Sequence, residues 1–370
     1  GFTKKLSTAD LPNPAIDPNR GETPDQYFAS TLYTGNGGNQ SITSLEFQPD
    51  FVWLKGRNLD IAHGWFDVLR GTSTAGGANK AIGSNRHDSE GNNNGVLSSF
   101  NSDGFTLDSG TGGNSNNLTN KNGNTYVAWS WKAGGSGSSV SVDSISSGVP
   151  SLASTVSAST ESGFSLVTFT LGSSGSKTVA HGLSSAPEMI IFKSRSNATA
   201  WIIQHAGVAD SDPFTDFINF NSVSNTTAGG VLDNATVSDD TAPTSNVFTI
   251  GSGFTTGNYG ANQIAYCFHS VEGFSKISHY LGNGATGTND GVFVFTGFRP
   301  AWVMIKSVVA GEPWNIFDNA RSQDNIAQEN LLANRSLIES TSTNGPNFLS
   351  NGFKVKGNVG NWNHDGERYI

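Results

Sequence analysis

The sequence predicts an all-β protein: three tandem antiparallel β-sandwich-like modules, jelly-roll or lectin-like, with little helix. Three observations carry this reading. The composition is rich in aromatic rings and poor in charge. Short apolar runs alternate with Gly-rich turns. One set of landmarks recurs three times in the same order.

The 370 residues include 45 Gly, 23 Phe, 8 Trp and 7 Tyr, while charged residues make up only 14%. Disordered chains have the opposite balance, with high charge and few rings. Aromatic side chains bury large areas and can anchor several small cores. Asn, Ser, Thr and Gly favour turns, and short strands joined by such turns suit a sandwich or barrel. The net charge is −9, with no basic stripe, which argues against nucleic acid as a partner. No apolar run reaches the 18 or so residues of a membrane-spanning helix.

The first landmark is a Pro that opens an apolar run closing on Lys: Pro49 to Lys55, Pro187 to Lys193 and Pro300 to Lys306. Such continuous runs read as central strands buried on both faces. The second is Trp65-Phe66-Asp67 with Arg70, matched by Ile316-Phe317-Asp318 with Arg321. The middle copy has Ile202-Ile203-Gln204-His205, without the Asp and Arg. The third is Phe100 to Leu107, matched by Phe348 to Val355 and, weakly, by Asn246 to Ile250. Within it, Ser102-Asp103-Gly104 and Ser350-Asn351-Gly352 are turn signals. The fourth is Asn124 to Trp131, matched by Asn262 to Phe268 and by Glu367 to Ile370.

These landmarks place the modules at 27–135, 163–272 and 273–370. Residues 1–26, with four prolines, read as an extended arm. Residues 136–162, rich in Ser and Gly, read as a linker with one short strand. One stretch, about 322–335, has helical spacing, with Ser322 as an N-cap before Ile326, Leu331 and Leu332. The chain starts at Gly1 and stops inside the fourth landmark, so it is expected to be a piece of a longer protein.

The residues that could carry chemistry give no catalytic, metal or cofactor assignment. None of the seven His forms an H-x-x-x-H or H-x-H pair. His181 reads as a solvated loop residue. Cys267 is the single cysteine and lies in an apolar run, so it reads as a small buried hydrophobe. Asp67, Asp103, Asp318 and Asp365 could supply the paired carboxylates of a glycosidase. However, Asp67 and Asp318 recur with an Arg three residues on, which points to a structural ion pair in each module. Asp103 is replaced by Asn351 in its repeat, and an amide cannot do a carboxylate's proton transfer. Asp210-Ser211-Asp212 and Asp239-Asp240 lack the ligand spacing of a calcium loop. Trp53, Trp129 and Trp302 lie in strand patterns and read as core; Trp65, Trp201 and Trp314 recur ahead of the second landmark and read as packing. Trp362, in Gly360-Asn361-Trp362-Asn363-His364, reads as the most exposed ring and is the one candidate ligand-binding residue.

Taken together, Tyr33 to Gly37, Phe47 to Lys55, Phe66-Asp67 with Arg70-Gly71, Phe100 to Phe105 and Tyr126 to Gly135 resemble a repeat of structural proteins of tailed phages, many of them marine. Lys4 to Ile16 resembles the segment that introduces the repeats there, often after a lectin-like sandwich. The resemblance is specific in the first and third copies and weaker in the second. It implies a virion protein of tail-fibre, tail-tip or capsid-fibre type, on an extracellular particle, and carries over no catalytic residues. The expected partners are other virion proteins, further copies of the chain, and a host-surface glycan or receptor. A carbohydrate-binding adhesin is the second reading, and a polysaccharide-degrading tailspike the third.

Overall fold

The computed structural model describes residues 16, 22–73, 79–91, 95–109, 117–172, 175–208, 214, 216–220, 232–233, 237–255, 261–286, 291–309, 311–324 and 326–370. Most of the expected arm at 1–26 lies outside them. The protein is all-β and sandwich-like, built from antiparallel sheets. Its first segment holds β1 (Phe28–Thr34), β2 (Gln40–Ile42), β3 (Phe51–Gly56), β4 (Gly64–Asp67), β5 (Leu97–Asn101), β6 (Gly104–Leu107) and β7 (Thr125–Trp131). The next holds β8 (Ser138–Val140), β9 (Ser154–Ser159), β10 (Phe164–Thr170), β11 (Lys177–Ala180), β12 (Met189–Ser194), β13 (Ile202–His205), β14 (Asp216–Asn219), β15 (Leu232–Asp233), β16 (Val247–Ile250) and β17 (Asn262–Phe268). The last holds β18 (Tyr280–Leu281), β19 (Phe293–Phe295), β20 (Trp302–Ile305), β21 (Asn315–Asp318), β22 (Glu329–Leu332), β23 (Ser340–Thr341), β24 (Asn347–Leu349), β25 (Gly352–Lys354) and β26 (Arg368–Tyr369).

The pairing repeats with the landmarks. The order β1-β7-β3-β4 in the first segment corresponds to β10-β17-β12-β13 within the eight-stranded sheet of the second. In the third, β18 pairs with β26 and β20 pairs with β21. Small sheets cover these: β2-β6-β5, then β11-β16, then β19-β25-β24.

The apolar runs are continuous because both of their faces are covered. In β3, Val52 and Leu54 face the core between the two sheets of their own segment. Phe51 and Trp53 face the other way, into a core shared by all three segments. In β12, Ile190 and Phe192 are local while Ile191 is central. The shared core gathers Trp53 and Trp129, then Ile203 and Tyr266, then Trp314 and Ile316.

Two local expectations are corrected. The described residues of 322–335 form no helix; they carry β22, which pairs with β21 and β23. Residues 136–162 are more than a linker with one strand, because β8 and β9 both join the large sheet. The small side chains there permit close approach. A Cβ on Gly134 would stand 2.6 Å from the backbone of Ala158, and one on Gly182 would stand 2.6 Å from Val156.

Candidate functional site

Asp67 and Asp318 end their strands fully buried, each paired with its Arg: Asp67 Oδ2 to Arg70 Nε is 2.5 Å and Asp318 Oδ2 to Arg321 Nε is 2.6 Å. Each carboxylate also accepts a hydrogen bond from another segment. Tyr266 Oη donates to Asp67 Oδ2 at 2.9 Å, and Trp129 Nε1 donates to Asp318 Oδ2 at 2.9 Å. These carboxylates are therefore fixed joints, with their lone pairs committed.

The register corrects the alignment of the middle copy. Phe51 faces Asp67, Met189 faces His205 and Trp302 faces Asp318. His205 therefore takes the place of the Asp. By the same register Trp65 matches Ile203 and Ile316, while Trp201 and Trp314 match His63. His63 accepts from Trp53 Nε1 on its Nδ1 at 2.8 Å, so its Nε2 carries the proton shared with Leu332 O at 3.0 Å. Trp201 Nε1 donates to Gly83 O and Arg86 O, both at 3.0 Å.

Two of the three landmark lysines make the same kind of joint, while Lys306 Nζ donates to Ser307 O and Val309 O of its own segment. Lys55 Nζ donates to Gly56 O, Leu59 O and, in the third segment, Ser336 O. Lys193 Nζ donates to carbonyls of its own loop and to His87 O in the first segment. Burial pushes Lys55 down to about 7, and Lys193 and Lys306 down to about 8. Next to two of them, Arg57 pairs with Glu339 and Arg195 with Glu90, both at 2.7 Å across segment borders. The first segment thus reaches onto the third, and the second onto the first, through matching residues.

The remaining feature is an apolar groove of about 570 Å³ beside β20. Its walls are residues 273–280 and 299–305, and its floor includes Phe28, Phe51, Trp131 and Phe268. Lys276 and Arg299 are exposed at the rim. His205 lines the groove with its Nδ1 accepting from the Gly207 amide at 2.9 Å, and burial with nearby His279 pushes it down to about 3. Asp25 is the one carboxylate among the described lining residues, so the paired acids of glycoside hydrolysis are not assembled there. What the groove can do is take up an apolar, extended occupant.

Other sequence candidates lie elsewhere. The Trp362 ring, expected to be exposed, is 3% exposed; its Nε1 donates to Lys356 O and it packs edge-on against Phe317. It offers no face for stacking, because the third segment's sandwich closes over it. His181 is also buried rather than solvated, accepting from the Leu183 amide and held down at about 4 by burial. Cys267 is buried as expected, and burial pushes its thiol up to about 12. Asp103 and Asp365 lie exposed in turns. Asp239 bonds with Ser176, and Asp210-Ser211-Asp212 lie outside the described residues. Among the described residues no cluster of three or more His, Cys, Asp or Glu is placed to hold a metal. The groove had no signal of its own in the sequence; it follows from strand register.

No curated protein and no solved structure matches the chain. A family model described as a domain of unknown function, DUF7483, matches residues 23–370, and the chain belongs to that family.

Proposed function

We propose that the chain is a structural protein of a tailed-phage particle, a tail-fibre, tail-tip or capsid-fibre component made of three tandem modules. It acts without catalysis, assembles with further copies of itself and with other virion proteins, and presents its turns to the host surface. One observation carries the reading: four of the buried charged residues that recur through the sequence, Lys55, Asp67, Lys193 and Asp318, are spent on joints between segments. That is the use expected of a body that holds a shape. The exposed turns support it too. Asn36-Gly37-Gly38 and Asn283-Gly284 bear no charge, and polar loops on a rigid β scaffold are a common place for contacts. Weak contacts repeated over modules and copies can raise avidity by about 10²–10⁴.

Gold-labelled antibody against the chain tests the assignment on purified particles. Label along tail or capsid fibres is expected. Label confined to unassembled protein overturns it. Host contact is tested separately, by saturating host cells with the purified chain: slower adsorption of the particle is expected, and unchanged adsorption removes the host-contact part.

A further inference from the structure

The small outer sheets of the three segments are built alike, but their edges are treated differently. Phe105 faces Ile42 of β2, Phe248 faces Val179 of β11 and Phe353 faces Val294 of β19. The residues flanking these partners are therefore equivalent: Ser41 with Thr43, Thr178 with Ala180, and Phe293 with Phe295. Each of the three strands lies at the edge of its sheet. In the first segment the exposed pair, Ser41 and Thr43, is polar. In the second the chain covers the edge itself: Leu152 bridges Val179, and the Ser151 and Leu152 amides donate to Thr178 O at 3.0 and 3.1 Å. The third edge is neither polar nor covered. Phe293 is 43% exposed and Phe295 64%, and no described strand pairs with this side of β19.

The side chains and the backbone of β19 are both set for a partner. Val294 packs inward on the local core, while Phe293 lies back across β25, where a Cβ on Gly352 would stand 3.0 Å from its ring. Val292 O accepts from the Val355 amide and the Thr296 amide donates to Asn351 O, so the even-numbered residues spend their backbone groups on the hairpin. By strand alternation Phe293 and Phe295 turn theirs to the open edge. Thr178, at the place of Phe293, uses the same direction, its amide donating to Ser151 Oγ at 2.8 Å.

Charge, proline or a covering segment commonly guards such an edge. Residues 291–298, Gly-Val-Phe-Val-Phe-Thr-Gly-Phe, have no charge and no proline. The chain carries a net charge of −9, so two copies repel and approach most easily through a neutral surface. The strand is also its own complement. Antiparallel pairing centred on Val294 sets Phe293 of each copy opposite Phe295 of the other, with each pair exchanging two backbone hydrogen bonds. Aromatic pairs opposite one another across strands are stabilising.

We propose that β19 is a self-association edge. Two copies of the chain pair it antiparallel about Val294, joining their outer sheets across a two-fold axis with four phenylalanine rings on one face. The inference rests on the self-assembly in the reading above and not on the identity of the particle. So short a seam buries less than the roughly 1,000 Å² of a stable interface. It is therefore weak between two free chains and firm where many copies are held together.

Sedimentation of the 370-residue chain up to about 1 mM, which reaches weak contacts, is expected to show a monomer–dimer equilibrium. Phe293→Ser with Phe295→Thr puts the first segment's residues at these exposed positions. It is expected to weaken the dimer by about tenfold or more and to leave the melting temperature unchanged. Single cysteines check the register. Phe293→Cys and Phe295→Cys chains mixed in oxidised glutathione are expected to form a disulfide dimer faster than either chain alone, because only the mixture sets two thiols opposite each other. A chain that stays monomeric throughout overturns the proposal and leaves a different protein to cover this strand. A dimer that the double change does not weaken overturns the edge while self-assembly stands, and equal cross-linking rates overturn the pairing about Val294. The particle assignment is decided separately, by the antibody label.

Discussion

Asp67 and Arg70 sit where neither can reach water, so each depends on the other and on a donor from elsewhere. Removing one partner of a buried pair leaves an uncompensated charge, which costs about 3–5 kcal/mol, whereas replacing both by apolar groups can be neutral. Asp67→Asn is therefore expected to lower stability by that amount in urea titrations. The double change Asp67→Leu with Arg70→Met is expected to cost less than either single change. The sequence shows the Asp–Arg spacing plainly, since the two are adjacent turns of one motif. It does not show Tyr266 or Trp129 as donors, because they lie 199 and 189 residues away along the chain. The histidines make a second prediction. His181 and His205 are held neutral by burial, at about 4 and about 3. The unfolded chain takes up protons near pH 6.5 that the fold refuses. Their stabilisation is thus complete above that pH and is lost as pH falls from about 6.5 toward 4. Each is expected to cost roughly 2 kcal/mol between pH 7 and 5. His181→Asn is expected to flatten the pH dependence of the denaturation midpoint by its own share.

The strands most legible in the sequence are the ones buried on both faces. Val52-Trp53-Leu54 and Ile190-Ile191-Phe192 have no polar side to hide, so the run itself gives the element. Where one face is polar and the strand short, the reading fails. Ile326, Leu331 and Leu332 satisfy a helical period, yet only Leu331 of β22 lies in the shared core and the strand is fixed by its pairing with β21. Ser154 to Ser159 looks like linker because most of its residues are small and polar, yet the strand is closely packed, with Gly134 and Gly182 leaving no room for a Cβ against Ala158 and Val156. The turn signals are the opposite case, since glycine is required by space that can be measured. A Cβ on Gly104 would stand 1.8 Å from Ile42 O, and one on Gly352 would stand 2.1 Å from Val294 O. These two glycines hold equivalent hairpins against β2 and β19. Gly104→Ala must push β2 off β6, so a loss of about 3 kcal/mol or more is expected. Faster amide exchange in Gln40–Ile42 than elsewhere in the first segment checks that the damage begins at that pairing.

At the scale of the molecule, the distribution of aromatic rings decides how it melts. Each segment has a core between its own sheets, but the largest rings are spent on the core between segments. Trp65 touches Trp53 in its own segment and Trp201 and Tyr266 in the next, with ring centroids 4.7–4.8 Å apart. Phe220 links Trp53 and Trp65 to Trp314 of the third segment. A segment that leaves this assembly exposes its Trp face to water and uncovers the faces of the other two, so partial unfolding costs apolar area beyond that segment's own core. The chain is therefore expected to unfold in one transition despite its repeats, with calorimetric and van't Hoff enthalpies in agreement. Trp65→Ala sharpens the test. Deleting a buried ring costs about 3–5 kcal/mol, and for a chain of this size that lowers Tm by about 5 °C. The informative quantity is where the loss is felt. If the shared core couples the segments, hydrogen exchange speeds up by the same factor in β7, β17 and β21, although Trp65 belongs to the first segment alone. If β21 keeps its protection while β7 loses it, the segments are separate folding units that only touch. The joints formed by Lys55, Lys193 and the Asp–Arg pairs would then set orientation without contributing to cooperativity.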